Sequence, residues 1–131
     1  MKQLRVVLTV DDHERALSFY RDALGLAQLE DWSSKDGKVV LLDAGRATLE
    51  LVDERQAATI DDIEVGSRVA GTVRLALEVE DSSACADTLE AAGAERLGGP
   101  VDTPWHDRNV RLRAPEGMQV TLFTTFDMSS G

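Results

Sequence analysis

The order strand pattern, acidic turn, helix pattern, glycine occurs twice in this chain, and an internal repeat of that kind constrains the fold more than any other feature of the sequence. In the first copy, RVVLTVDDHERALSFYRDALG, residues Val6, Leu8 and Val10 alternate with Arg5, Val7 and Thr9 at the period of a half-buried strand. Ala16, Leu17, Tyr20, Ala23 and Leu24 then recur at helical spacing. Asp11 or Asp12 is placed to cap that helix, Glu14 fits a reciprocal cap with Asp11, and Gly25 supplies the left-handed residue that commonly ends a helix. The second copy, RLALEVEDSSACADTLEAAG, repeats the plan with Leu75, Leu77 and Val79, a cap at Asp81, a helix carrying Cys85, Leu89 and Ala92, and Gly93. Short strand-like runs follow each copy, at residues 39–42 and 48–52 in the first half and 110–112 and 119–123 in the second, with turns at Ala44-Gly45 and Pro115-Glu116-Gly117. The chain therefore reads as an α+β protein of two βαβββ modules.

Each module would bury one sheet face under its own helix and still need a neighbour, and at about 55 residues neither supplies an ample core alone. Residues 1–131 are accordingly expected to form one domain, with modules at 2–53 and 71–126, a linker at 54–70 and a frayed tail at 127–131. The first module includes a further strand near residues 26–32 and a turn at Lys35-Asp36-Gly37, and the second a loop over residues 98–104. The linker is rich in Asp and Glu, with room for a helical turn. It would let the modules of one chain pair with each other or with those of a second chain, and because neither module completes a core alone a homodimer is expected.

Charge excludes one class of partner. The net charge of −10 is spread over both halves, whereas nucleic acid binding needs a basic face that releases counterions. Cys85 is the sole cysteine, so no internal disulfide can form, and its small neighbours suit a buried, inert thiol. No apolar run approaches ~18 residues and no cleavage pattern follows Met1, so a cytoplasmic protein with no membrane partner is expected.

Strand alternation also sorts the residues that carry chemistry. With Val6, Leu8, Val10, Leu75, Leu77 and Val79 under the helices, Arg5, Val7, Thr9, Arg74, Ala76 and Glu78 share the opposite face, joined by Thr48, Glu50, Val52, Asn109, Arg111, Gln119, Thr121 and Phe123. Such a mixture of charge with Val, Thr and Phe is neither an ordinary core nor a plain solvent face. Either Arg5, Arg74, Glu50 and Glu78 pair among themselves, or they meet a ligand. Trp32, at a strand end, and Trp105, in TPWHDRNV, are large aromatics at edges where flat or cationic groups can stack. Histidine can serve as a general base near neutral pH, but His106 has no carboxylate in view to orient it. Phosphate loops, nucleophile elbows and cysteine or histidine clusters do not occur.

The repeated plan, the FYRDALGL helix ending and the late RAPEGMQVTLF stretch resemble the vicinal oxygen chelate superfamily, which includes glyoxalase I, extradiol dioxygenases, fosfomycin-resistance enzymes and bleomycin-resistance proteins. The resemblance implies an eight-stranded, incompletely closed barrel-like sheet whose concave face holds the site, commonly in a dimer. It also implies metal ligands at four strand positions, occupied in this chain by Arg5, Glu50, Arg74 and Thr121. Arginine has no lone pair to give and a catalytic zinc site wants about three protein ligands, so no metal and no other cofactor is expected. The PW-x-x-R stretch at Trp105 is similar to that of bleomycin-resistance and related drug-sequestering members.

Together these readings predict a metal-independent protein that sequesters an antibiotic or aromatic natural product, with the ligand flat and aromatic or cationic. The expected ligand-binding residues are Arg5, Val7, Trp32, Glu50, Arg74, Trp105, His106, Arg111, Thr121 and Phe123, with no catalytic residue. The alternative is a glyoxalase-like lyase or isomerase using Glu50 as base, or a dioxygenase with an atypical site.

Overall fold

The computed structural model describes residues 1–115 and 117–126, so the tail expected at 127–131 and Glu116 of the expected turn lie outside the described residues. Alternation in the first repeat forms β1 (Gln3–Val10), and the Asp12 carboxylate accepts a hydrogen bond from the Arg15 N–H to start α1 (His13–Leu17), which continues as a π-helical turn over Ser18–Ala23. Strands β2 (Gln28–Asp31), β3 (Val39–Asp43) and β4 (Thr48–Asp53) complete the first module. The second contains β5 (Val73–Glu78), a helix over Ser82–Ala91 capped by Asp81, and strands β6 (Glu95–Asp102), β7 (Asp107–Arg113) and β8 (Gln119–Thr125).

The eight strands form one mixed sheet in the order β2-β3-β4-β1-β5-β8-β7-β6, with β2 and β6 as its free edges. Parallel pairs β1–β4 and β5–β8 lie within the modules, and the antiparallel pair β1–β5 joins them. The modules of one chain thus pair with each other. Residues 98–104, expected as a loop, largely belong to β6, whose pairing with β7 shifts register on both sides of Gly98. Weak strand propensity in the Gly-Gly-Pro run hid an edge strand that bulges accommodate.

One side of the sheet carries the two repeat helices. Leu17, with Ala16 and Tyr20, covers Leu8, Val40, Leu42, Leu49 and Leu51. Ala86, with Cys85 and Leu89, covers Leu77, Val79, Val110, Leu112 and Leu122. Leu42, Leu51 and Leu122 are completely buried, each contributing about 1.5–3 kcal/mol of transfer free energy.

The segment expected as a linker carries an eleven-residue helix, α2 (Glu54–Glu64), so the Ser82–Ala91 helix becomes α3. Asp53 caps α2 by accepting from the Gln56 N–H at 2.8 Å. Ala57 and Ile60 of α2 pack on Val7, Val39, Val52, Ala76 and Phe123, which places the helix inside the concavity, against β1 and β4 of one module and β6 and β7 of the other. Two glycines seat its ends. A Cβ on Gly37 would lie 2.5 Å from Gln56 Cβ, and one on Gly98 would lie 2.0 Å from the Glu64 carbonyl oxygen. No side chain at either place leaves the helix where it is.

Candidate functional site

Sheet register brings the charged residues into rows on the concave face. Thr48, Arg5, Ala76, Thr121 and Arg111 are consecutive partners across five strands, and Leu41, Glu50, Val7 and Arg74 form the next row. Helix α2 then divides this face in two.

Over β7 and β8 the helix seals the face with an ion network. Arg111 is completely buried, with its Nη1 donating to Asp61 Oδ1 at 2.9 Å and its Nε to Glu64 Oε1 at 3.1 Å. Its Nη1 also meets Gln119 Oε1 at 2.9 Å, and its Nε meets Thr121 Oγ1 at 3.1 Å. Glu64 accepts further bonds from Thr121 Oγ1 at 2.8 Å and Asn109 Nδ2 at 3.1 Å. Asp61 Oδ2 accepts from the Val69 and Ala70 N–H groups at 2.8 Å each and from Arg68 at 3.0 Å, tying the following loop back onto the helix. Burial pushes the Asp61 carboxyl up, but the Ala70 and Val69 N–H groups and Arg111 outweigh it and hold it below the usual carboxylate range.

Beside the helix, over parts of β1, β4, β5 and β8, the face keeps a cavity of about 490 Å³. Arg5, Glu50, Arg74, Ala76, Thr121 and Phe123 line its sheet side, Ile60, Ile63 and Glu64 its helix side, and Trp32 and Trp105 contribute from opposite modules. Both tryptophans keep large exposed areas, 45% and 42%. The Arg5 guanidinium lies 5.4 Å from the Trp32 ring centroid and 4.7 Å from that of Phe123, two cation–π contacts that orient the cavity wall. Its pairing with Glu50 is long, 3.5 Å. Arg74 donates one hydrogen bond, to Thr121 Oγ1 at 3.0 Å, and burial pulls its guanidinium below the ordinary arginine value, with Glu64 opposing and Arg111 adding to the shift. Burial raises the carboxyl of Asp107 on the same cavity, against hydrogen bonding from Thr125, the charge of Arg5 and hydrogen bonding from Trp105.

Seven of the ten residues expected at a ligand site line the cavity: Arg5, Trp32, Glu50, Arg74, Trp105, Thr121 and Phe123. The other three do not. Val7 packs under α2, Arg111 lies beneath it in the ion network, and His106 is exposed on a turn at φ +70°. The expected pairing of Arg5, Arg74, Glu50 and Glu78 is limited, among the described residues, to Arg5 with Glu50. Sequence reasoning missed Asp61, Glu64, Ile60 and Ile63 of α2, as well as Asp107. The available signal was the Asp53-x-x-Gln56 cap ahead of Ala57, Ile60, Asp61 and Glu64, all on one helical face.

A family model described as the Glyoxalase/Bleomycin resistance protein/Dioxygenase superfamily matches residues 2–122. The chain belongs to this superfamily. The uncharacterized protein YraH of Bacillus subtilis (strain 168) is 28% identical to it over 127 residues, covering 94% of this chain and 98% of YraH. Among solved structures, the hypothetical protein BH1468 from Bacillus halodurans C-125 superposes with a TM-score of 0.70 at 15% identity, over 95% of this chain and 94% of its own. A methylmalonyl-CoA epimerase from Mycobacterium tuberculosis gives 0.67 at 19% identity, over 96% of this chain and 89% of its own. These two show the shared fold.

The superfamily resemblance implies a metal at Arg5, Glu50, Arg74 and Thr121, and all four line the cavity. Their chemistry does not fit one. Two are guanidinium groups without a lone pair. The Thr121 hydroxyl already accepts from Arg74 and Arg111 and donates to Glu64, and Glu50 alone is one carboxylate beside a cation.

Proposed function

We propose that this superfamily member binds a flat, partly aromatic small molecule in the cavity beneath α2 without the help of a metal, sequestering an antibiotic or aromatic natural product. The observation that carries this reading is the placement of Trp32 and Trp105, from opposite modules, on one cavity of about 490 Å³. That volume suits a drug-sized ligand, and large aromatics left half exposed beside a cavity offer broad stacking area at little ordering cost. The arginines at the ligand positions support a metal-independent mode. The proposal extends to a homodimer, supported by β2, whose four residues are all exposed at a free sheet edge, and by the exposed Phe19 and Leu24 nearby in the chain.

Tryptophan emission reports on this directly. Titration with quinones, polycyclic aromatics and cationic glycopeptides should find a compound that changes the emission equally with and without chelator, and Trp105→Ala should weaken its binding by about 1–3 kcal/mol. Binding that requires an added divalent metal, or that is undiminished in Trp105→Ala, would overturn the reading.

A second reading, a lyase or isomerase of glyoxalase type with Glu50 as base, draws on Glu50 and Asp107 facing one cavity, with burial raising the Asp107 carboxyl so that it holds a proton more readily than an ordinary carboxylate. Exchange of solvent deuterium into a bound ligand, lost in Glu50→Gln, would favour it over sequestration.

A further inference from the structure

The two buried arginines of the concave face are treated differently. Arg111 is surrounded by Asp61, Glu64, Gln119 and Thr121. Arg74, only 7% exposed, has no carboxylate within 4.0 Å among the described residues and a single hydrogen bond to a neutral hydroxyl. A guanidinium carries five N–H donors, and a buried cation left without a counter-charge is costly.

The carboxylates near Arg74 are committed elsewhere. Glu64 is held by Arg111, Asn109 and Thr121, Asp61 by Arg111, Arg68 and two backbone N–H groups, and Glu50 faces Arg5. Arg74 lines the cavity, at the centre of the sheet on β5, whereas Trp32 and Trp105 stand exposed. Val39, Ile60 and Phe123 supply apolar wall.

We infer that Arg74 is the anchor for a ligand carboxylate, and that the molecule held in the cavity is an aromatic carboxylic acid with its acid group inward and its ring toward the tryptophans. This rests on the reading of the cavity as a small-molecule site and narrows its ligand to an anion, in place of the cationic alternative that the acidic composition left open. A planar carboxylate matches the guanidinium fork. With Glu50 and Glu64 lining the same cavity, a singly charged carboxylate meets less repulsion than a doubly charged phosphate.

Three probes of one shape separate the charge from the ring: 2-naphthoate, 2-naphthamide and 2-naphthylmethylammonium, titrated by calorimetry into the parent protein and Arg74→Gln. The parent should bind naphthoate about tenfold to a hundredfold more tightly than the amide, as expected for hydrogen bonds to a charged group, and the ammonium weakest. Arg74→Gln should lose that preference while still binding the amide. Because the substitution removes an uncompensated cation, its urea midpoint without ligand should equal or exceed the parent's, and a marked drop would show Arg74 to be a structural partner and overturn the assignment. Equal binding of naphthoate and amide, or a preference for the ammonium, overturns the carboxylate anchor but leaves the small-molecule site standing. No binding of any probe at about 1 mM overturns both.

Discussion

Replacing Asp61 by Asn exchanges one oxygen for an amide nitrogen and leaves shape and volume nearly unchanged, so it isolates the electrostatics of the α2 seat. Asp61 Oδ1 faces the Arg111 Nη1 donor at 2.9 Å, and Oδ2 faces the Val69 and Ala70 N–H groups at 2.8 Å each. Asparagine can keep only one of these acceptors. Whichever way the amide turns, its NH2 meets a donor, and Arg111 loses half of its counter-charge at a site with 0% exposure. Removing one partner of a buried pair costs about 3–5 kcal/mol, against roughly 5–15 kcal/mol for the whole stability of a domain. With a urea slope of about 2 kcal/mol per molar, the unfolding midpoint should fall by about 2 M. Asp62→Asn, on the exposed side of the same helix, should move it by less than ~0.3 M. The pH dependence has a definite sign: Asp61 titrates lower in the folded than in the unfolded chain, so its contribution is present above the usual carboxylate range and lost as pH falls through its folded value. The gap between parent and variant should therefore persist at about pH 4 and close only below it. Coincident midpoints for Asp61→Asn and Asp62→Asn at neutral pH would refute the argument that α2 is held by a buried charge network.

Gly98→Ala should cost about 1–3 kcal/mol by urea denaturation, because its Cβ would lie 2.0 Å from the Glu64 carbonyl oxygen, whereas Gly71→Ala meets nothing within 4 Å and should be near neutral. Asp107 carries the opposite pH sign to Asp61. Its folded pKa is raised, so its ionised form opposes folding at neutral pH and this cost disappears below the usual carboxylate range; Asp107→Asn should raise the midpoint at pH 7 and lose that advantage as pH falls. Glu50→Ala should destabilise by about 2 kcal/mol, since its 9% exposed side chain faces a 21% exposed Arg5, while exposed Glu14→Ala should change the urea midpoint little. Sedimentation equilibrium at micromolar concentration should show twice 14.3 kDa, and a species of 14.3 kDa alone would remove the dimer from the proposal.

Local signals carried most of the strand and helix pattern. Alternation around Val6 and Leu75 and the caps at Asp12 and Asp81 operate over a few residues, so β1, α1, β5 and α3 could be read directly, and the alternation put Arg5, Glu50, Arg74 and Thr121 on one face. The seat of α2 was not legible in the same way. Half of its buried face is acidic, and Glu64 is buried only because Arg111, 47 residues further along, meets it there. Separation in sequence also hid the role of Gly98, which reads as a turn glycine but is small because the Glu64 carbonyl rests on it. Arg111 shared the strand period of true cavity residues, and nothing in its neighbourhood along the chain revealed that a helix would cover it.

The way α2 is mounted separates what is costly to change from what is cheap. Apart from Arg74, strand residues on the cavity floor belong to a sheet packed on both faces, and Ala57, Asp61 and Glu64 are fixed by the concave core or the ion network, so substitutions there disturb the fold. Thr59 and Ile63 line the cavity yet are only half buried, and neither joins that core or that network. Variation at these two helix positions would reshape the ligand pocket while leaving the sheet intact, so descendants of one stable scaffold could diverge in what they hold by drifting along a single turn of helix.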